Sequence, residues 1–181
     1  MADALKISQL GNPVLRQISQ PVFQLQEEET QHFLDRLLNT LVASNGVGIA
    51  APQVGVAQRV LIIASRPNPR YPNAPQMEPV VMINPQLVSH SEEIVKDWEG
   101  CLSIPGIRGL VPRYGTVEVE YTTRDSTLQR QELTDFVARI FQHEFDHLNG
   151  LVFLDRMESV RDIVTDQEYL KLITAQANQE R

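Results

Sequence analysis

The sequence predicts an α+β fold in which antiparallel strands surround a central metal-binding helix, with an N-terminal helix and a C-terminal helix packed outside. Three observations carry this prediction. Short apolar or alternating runs bounded by Gly, Pro and Asn recur between residues 58 and 133, as strands do. Before them, Phe33, Leu34, Leu37, Leu38, Leu41 and Val42 repeat at helical spacing. After them, Gln142-His143-Glu144-Phe145-Asp146-His147-Leu148 sets two histidines four positions apart, on one face of a helix. The 181 residues suit one domain, 1–181, in which 165–181 form the last helix and a frayed tail.

Each element follows in order. Residues 1–24 hold scattered prolines and Leu10-Gly11-Asn12-Pro13-Val14-Leu15-Arg16, a loop-rich entry arm. The apolar stripe places the first helix near 26–44, ended by Asn45-Gly46, with His32 on its surface side. Gly46-Val47-Gly48-Ile49-Ala50-Ala51-Pro52-Gln53 offers small, permissive backbone that a ligand can approach, or else a tight turn before a strand. It is not G-x-G-x-x-G and no helix pattern opens after it, which argues against a dinucleotide site. Gln58 to Ala64 reads as a buried strand, and prolines at 67, 69, 72, 75 and 79 make the next stretch an irregular excursion.

Val80 to Asn84 is a further strand, expected to stop at Pro85. Glu92 to Trp98 is another, and Trp98 to Gly106 reads as a shaped loop around Cys101. Thr116 to Thr122 alternates cleanly, and Leu128 to Leu133 pairs with it across Arg124-Asp125-Ser126. Thr134 is expected to cap the histidine helix and Asn149-Gly150 to stop it. On its wheel, Phe136, Val137, Ile140, Phe141, His143, Glu144, Phe145, His147 and Leu148 form one buried arc, with Ala138, Arg139, Gln142 and Asp146 on the opposite face. Val152-Phe153-Leu154 gives a short strand or loop. Thr165-Asp166-Gln167-Glu168 resembles a capping box that opens the last helix, and Gln176 to Arg181 frays.

Composition narrows the function. A formal net charge of −7 argues against general nucleic-acid binding, direct DNA binding included. No apolar run reaches the roughly 20 residues that cross a bilayer. One cysteine cannot form an intrachain disulfide, and the first residues lack a secretory or transit character, so a cytoplasmic setting fits, with a processed organellar form left open.

The chemistry concentrates in three places. His143 and His147 can turn two imidazoles on one ion, and Glu144 stands beside the first to handle a proton from water. A metal site needs a third protein ligand. Cys101, the only thiol, is the strongest candidate, because a thiolate suits soft and borderline ions. His90 lies in a polar stretch and is weaker, and Glu158 or Glu168 stays open.

Taken together, Gly46-Val47-Gly48-Ile49-Ala50-Ala51-Pro52-Gln53, Glu99-Gly100-Cys101-Leu102-Ser103 and Gln142-His143-Glu144-Phe145-Asp146-His147 resemble the three motifs of the peptide deformylase family, in order and spacing. With the similar entry segment, the resemblance runs from about residue 7 to 156. It implies that Cys101, His143 and His147 bind one divalent metal, ferrous iron as a rule, with nickel, cobalt or zinc as substitutes. It implies Glu144 as the proton carrier, and Gln53 and the Leu102 N–H as oxyanion donors. It also implies Gly46, Val47 and Gly48 as backbone partners of an N-formyl-methionyl nascent peptide. A monomer is expected, with a transient contact with the ribosome left open. An apolar pocket using Phe136 and Ile140 is expected for the methionine side chain, and Glu99 and Arg108 are candidates to orient the ligands, or else an ordinary surface ion pair. Two alternatives remain: another H-E-x-x-H peptidase or amidase, whose metal would not need Cys101, and a non-catalytic metal-binding module with a closed fourth position.

Overall fold

The computed structural model describes residues 4–68 and 71–179, with side chains as far as 175. After an entry arm come α1 (Glu28–Ala43), β1 (Gly48–Ala50), β2 (Val60–Ile63), β3 (Val80–His90), β4 (Ile94–Cys101), β5 (Ile104–Tyr114), β6 (Thr116–Thr122), β7 (Leu128–Thr134), α2 (Asp135–Leu148), β8 (Ile163–Thr165) and α3 (Asp166–Gln179). The strands form two antiparallel sheets, ordered β1-β2-β3-β6-β7 and β4-β5-β8. The predicted α+β class holds.

The sequence of β2 explains how the larger sheet is covered. Successive side chains of a strand point to opposite faces, and all four residues of β2 are apolar and buried. Val60 and Ile62 join Leu34, Leu37 and Leu41 of α1 on one face. Leu61 and Ile63 join Val117, Val119, Ile140, Phe141 and Leu148 on the other, where α2 lies. Helix α2 therefore packs on the face of the sheet opposite α1, as expected. A third cluster, Cys101, Ile104, Val111, Val152 and Phe153, closes the small sheet.

Several sequence expectations change. Strand β3 does not stop at Pro85 but runs through it, because its register with β6 shifts between Ile83 and Gln86. A bulge is where a strand tolerates a residue with no N–H to give. Asn84 there has φ +51° and exchanges two bonds with Val22, at 2.8 and 2.7 Å. The supposed loop at Trp98–Gly106 is instead a hairpin: β4 runs into Cys101, which pairs with Ile104, and β5 extends to Tyr114. Pro105, Gly106, Gly109 and Pro112 hid that strand's pattern.

At the start of α2, Thr134 occupies the cap position without a capping bond from its side chain, and the chain turns instead through Asp135 at φ +51°. The stop at Asn149-Gly150 is as expected, with Gly150 at φ +73°. Another change concerns the face of α2 that carries Ala138, Arg139, Gln142 and Asp146. It is buried as fully as the first. With that face covered by the small sheet, its polar residues have no solvent to turn to and must find partners.

They do. Arg139 donates to the backbone oxygens of Val111 at 2.9 Å and Val95 at 2.6 Å, tying α2 to β5 and β4. Gln142 exchanges bonds of 3.0 and 2.9 Å with the backbone of Tyr114. Asp146 accepts from Arg113 Nη1 at 2.6 Å and from Arg156 Nη2 at 2.7 Å. Elsewhere, Val152–Leu154 enters a 3₁₀ turn, Phe153–Arg156, and not a strand. Glu168 N donates to Thr165 Oγ1 at 3.3 Å, half of the expected capping box. Helix α3 continues through 176–179, where fraying was expected, and 180–181 lie outside the described residues.

The Arg113–Asp146 pair generates a stability prediction. Both side chains are 4% exposed, so truncating the acid leaves buried Arg113 Nη1 without its acceptor and Glu99 as that cation's remaining carboxylate partner. Asp146→Ala is expected to lower unfolding stability by about 2–3 kcal/mol in urea melts, the cost of a buried charged donor left without its acceptor. A loss below about 1 kcal/mol, the scale of a surface pair, would show that Arg113 does not depend on it.

Candidate metal centre and active site

Two hydrogen bonds from the entry arm set the frame of the site. Ser8 N donates to the Gln53 backbone oxygen at 2.7 Å, and Leu10 N donates to the Ser103 backbone oxygen at 2.8 Å. The 3₁₀ turn Ala51–Val54 and the tip of the β4–β5 hairpin are thereby held by one segment. Between them and α2, the ligand atoms of Cys101, His143 and His147 lie within 4.8 Å of one another. Relative exposures are 7%, 8% and 0%. Cys101 Sγ is 3.3 Å from His147 Nε2, and it also accepts from Ser103 N at 3.4 Å and Gln53 Nε2 at 3.5 Å.

The electrostatics suit a cation. His143 Nδ1 is 2.8 Å from Glu99 Oε2. Burial alone would raise the Glu99 carboxyl, but Arg113 and His143 outweigh it and hold the group well below the usual carboxylate range. An ionised carboxylate only accepts, so Nδ1 of His143 carries the hydrogen and Nε2 is left for the cluster. Burial opposes charge on His143, yet Cys101 and Glu99 draw its pKa well above the ordinary value, so the cluster favours positive charge at this point. His147 is driven the other way, first by burial and then by the charges of His143 and Arg113, and stays neutral, the form that ligates. A thiol and two imidazoles at this separation fit a single divalent ion of borderline softness.

Glu144 sits in a different environment from Glu99. Its Oε2 is buried and has no hydrogen-bond partner among the described residues. Burial pushes its pKa up to about 7, with His143 pulling partly against it. Strand β1 passes beside it: a Cβ on Gly48 would stand 2.6 Å from Glu144 Oε1 and 2.7 Å from Ile140 Cγ2. Only glycine permits that approach.

These groups open on a cavity lined by Gly46, Val47, Gly48, Gln53, Leu102, Phe136 and Ile140 together with Cys101, His143 and Glu144. All nine candidate positions singled out from the sequence are thus gathered at one place, with His147 beneath, and so are the two pocket residues. Among the weaker candidates, His90 is elsewhere, stacked on Tyr114 at 3.6 Å, and Glu158 pairs with Lys96. Glu99 and Arg108 are both buried and form no pair with each other: Glu99 binds Arg113, Arg139 and His143, whereas Arg108 binds Asp166. Sequence reasoning missed Arg113, Arg139 and Asp146 behind the ligands, and Tyr71 and Trp98 at the cavity wall. The one available signal was a helix with an arginine and an aspartate close to two buried histidines.

Comparison with known proteins agrees with this geometry. The family model described as polypeptide deformylase matches residues 4–162. A protein of Nostoc sp. called peptide deformylase 2 is 59% identical over 172 residues, covering 95% of this chain and 96% of the relative. A second relative, peptide deformylase 2 of Shewanella oneidensis, is 43% identical over 91% of this chain and 90% of its own length. Among solved structures, the Met-Ala-Ser-bound class I type b peptide deformylase of Acinetobacter baumannii superposes with a TM-score of 0.85 at 44% identity, covering 87% of this chain and 100% of that one. The Synechococcus elongatus peptide deformylase in complex with actinonin gives 0.78 at 33% identity, over 90% of this chain and 86% of that one. From residues, geometry and relatives together, this chain belongs to the peptide deformylase family.

Proposed function

We infer that this protein is a peptide deformylase, a hydrolase that removes the formyl group from the N-terminal formylmethionine of new polypeptides and releases formate. The observation that carries the reading is Glu144: a buried carboxyl with a raised pKa and an unpartnered oxygen, beside a Cys-His-His cluster in an open cavity. Cys101, His143 and His147 would hold one divalent ion, which when bound acidifies water and polarises the formyl oxygen. Ferrous iron is the ion we assign, with nickel, cobalt and zinc compatible with the same donors.

The chain's own residues do the rest. Glu144 takes the proton of the attacking water at Oε2 and returns it to the leaving amine, a task suited to a pKa near the working pH. Gln53 Nε2, already directed at the cluster, and the Leu102 backbone N–H donate to the formyl oxygen as it gains charge. Strand β1 is an edge strand, paired with β2 on one side, so a peptide can add as a strand along Gly46, Val47 and Gly48 through the backbone groups left beside the Gly46 N–Leu41 O and Ala64 N–Val47 O bonds. Phe136 and Ile140 offer an apolar surface to the methionine side chain. No described helix is long and apolar enough to cross a membrane. We place the enzyme, as one catalytic domain and a monomer, in the bacterial cytoplasm, where it meets nascent chains in passing at the ribosome.

The test is formate release from formyl-Met-Ala-Ser by anaerobically iron-loaded protein. Glu144→Gln is expected to retain metal and lose about 10²–10⁴-fold in kcat. Cys101→Ala is expected to lose metal with activity. Metal retained in Cys101→Ala would transfer the third-ligand role elsewhere, and turnover retained in Glu144→Gln would remove it as the base.

The raised pKa of Glu144 also has a stability consequence in the metal-free protein. A carboxyl with an ordinary value of 4.5 unfolded and about 7 folded favours folding only while protonated. Stability from this group is therefore intact below pH 4.5 and declines up to about pH 7, by about 3 kcal/mol in all. Between pH 5 and 8, metal-free parent should lose roughly 2–3 kcal/mol more than metal-free Glu144→Gln in urea melts. Parallel loss in both proteins would show that the carboxyl is not held in a dry site.

A further inference from the structure

We propose that Tyr71, carried by the proline-rich excursion, is part of the wall that receives the substrate's first side chain, and that Arg108, clamped by the C-terminal helix, holds it there. The inference rests on the deformylase reading and adds to it a specificity residue and its support.

The excursion is irregular, as its prolines require, but Tyr71 is tied down. Asn68 and Tyr71 exchange backbone bonds of 3.2 and 3.0 Å, and Asn68 Oδ1 accepts from Tyr71 N at 3.1 Å. Met77 N donates to the Ser65 oxygen at 3.0 Å, and Met77 packs on the core. Half-buried Tyr71 lines the same cavity as Phe136, Ile140 and the donor cluster. Its ring lies 4.9 Å from that of Phe136 at a tilt of 52°, a favourable aromatic geometry. The two rings make a continuous apolar surface where methionine is to be received.

What fixes Tyr71 comes from the other end of the chain. Arg108 Nη1 donates to Tyr71 Oη at 3.1 Å, and Arg108 Nε donates to Asp166 Oδ1 at 3.1 Å. The guanidinium carbon is 5.1 Å from the Tyr71 ring centroid and 4.5 Å from that of Tyr169. A planar, delocalised cation can stack and donate at once, and an ammonium cannot replace it. Tyr169 also packs against Trp98, at 5.9 Å, and Trp98 lines the cavity as well. Asp166 and Tyr169 belong to α3 and are not lining residues, so they act as positioning residues through Arg108.

A long unbranched side chain would lie against the Tyr71 ring, whereas alanine would fall short of it. Tyr71 should therefore contribute to the preference for formyl-methionine over formyl-alanine. The experiment compares kcat/KM for formyl-Met-Ala-Ser and formyl-Ala-Ala-Ser in the parent, Tyr71→Ala, Tyr71→Phe and Tyr169→Ala. The ratio between two substrates on one preparation does not depend on how much protein is folded. Tyr71→Ala should lower that ratio about tenfold, the scale of lost contact in an apolar pocket, chiefly through a higher KM for the methionyl peptide. Tyr71→Phe keeps the ring and loses one bond, so its ratio should fall less. Tyr169→Ala should shift the ratio the same way as Tyr71→Ala, by a smaller factor. An active parent with an unchanged ratio in Tyr71→Ala overturns the wall, and an unchanged ratio in Tyr169→Ala overturns the clamp. A parent that releases no formate from either peptide overturns the deformylase reading itself.

Discussion

The structure depends on how the Glu99 carboxylate is held. This one buried group accepts two bonds from Arg113, at 2.9 and 3.0 Å, one from Arg139 at 2.9 Å, and the Nδ1 hydrogen of His143 at 2.8 Å. Those partners come from β5 and α2, while Glu99 is on β4, two residues before Cys101. A single carboxylate thus joins β4 and α2, which carry the donor cluster, to β5, which carries Arg113. Buried charges of this kind add little net stability, since desolvation offsets attraction, but removing any one partner is costly. The arrangement therefore makes the relative placement of Cys101 and His143 hard to alter, and it fixes the tautomer of His143.

Environment separates the two buried glutamates on either side of His143, Glu99 on β4 and Glu144 on α2. Glu99 meets three cationic partners and is held ionised, whereas Glu144, one residue past His143, meets a glycine backbone and an apolar neighbour and is raised. Groups of one type pushed in opposite directions commonly divide into a structural acceptor and a proton carrier. Here the division follows from the presence of Arg113 beside one carboxyl and of Gly48 beside the other. The bare Cα of Gly48 thus leaves Glu144 and Ile140 their room.

Much of this was legible in the sequence because the signals are local. Two histidines one helical turn apart and the β2 run of four buried apolar residues need no knowledge of the rest of the chain. Cys101 could be chosen because it is the only thiol. What could not be read depended on partners distant in sequence. Arg139 and Asp146 lay on the polar face of the wheel, and nothing local says that β4 and β5 will cover that face. Strand β5 was hidden by glycines and prolines that a bulged hairpin tolerates, and Pro85 by the register shift that excuses its missing N–H. Tyr71 stood in a segment that looked merely irregular. Its contacts are with Phe136 and Arg108, at separations of 65 and 37 residues.

The most direct measurement of the central claim is cobalt binding to the anaerobically reduced, metal-free protein, followed by absorption spectroscopy and metal analysis. One ion per chain is expected, with the intense visible bands of low-coordinate cobalt and a thiolate-to-metal charge-transfer band that disappears in Cys101→Ser. A folded parent that binds no cobalt, or binds it with the weak spectrum of an octahedral site lacking a thiolate band, would contradict the assignment of Cys101, His143 and His147 as one metal centre.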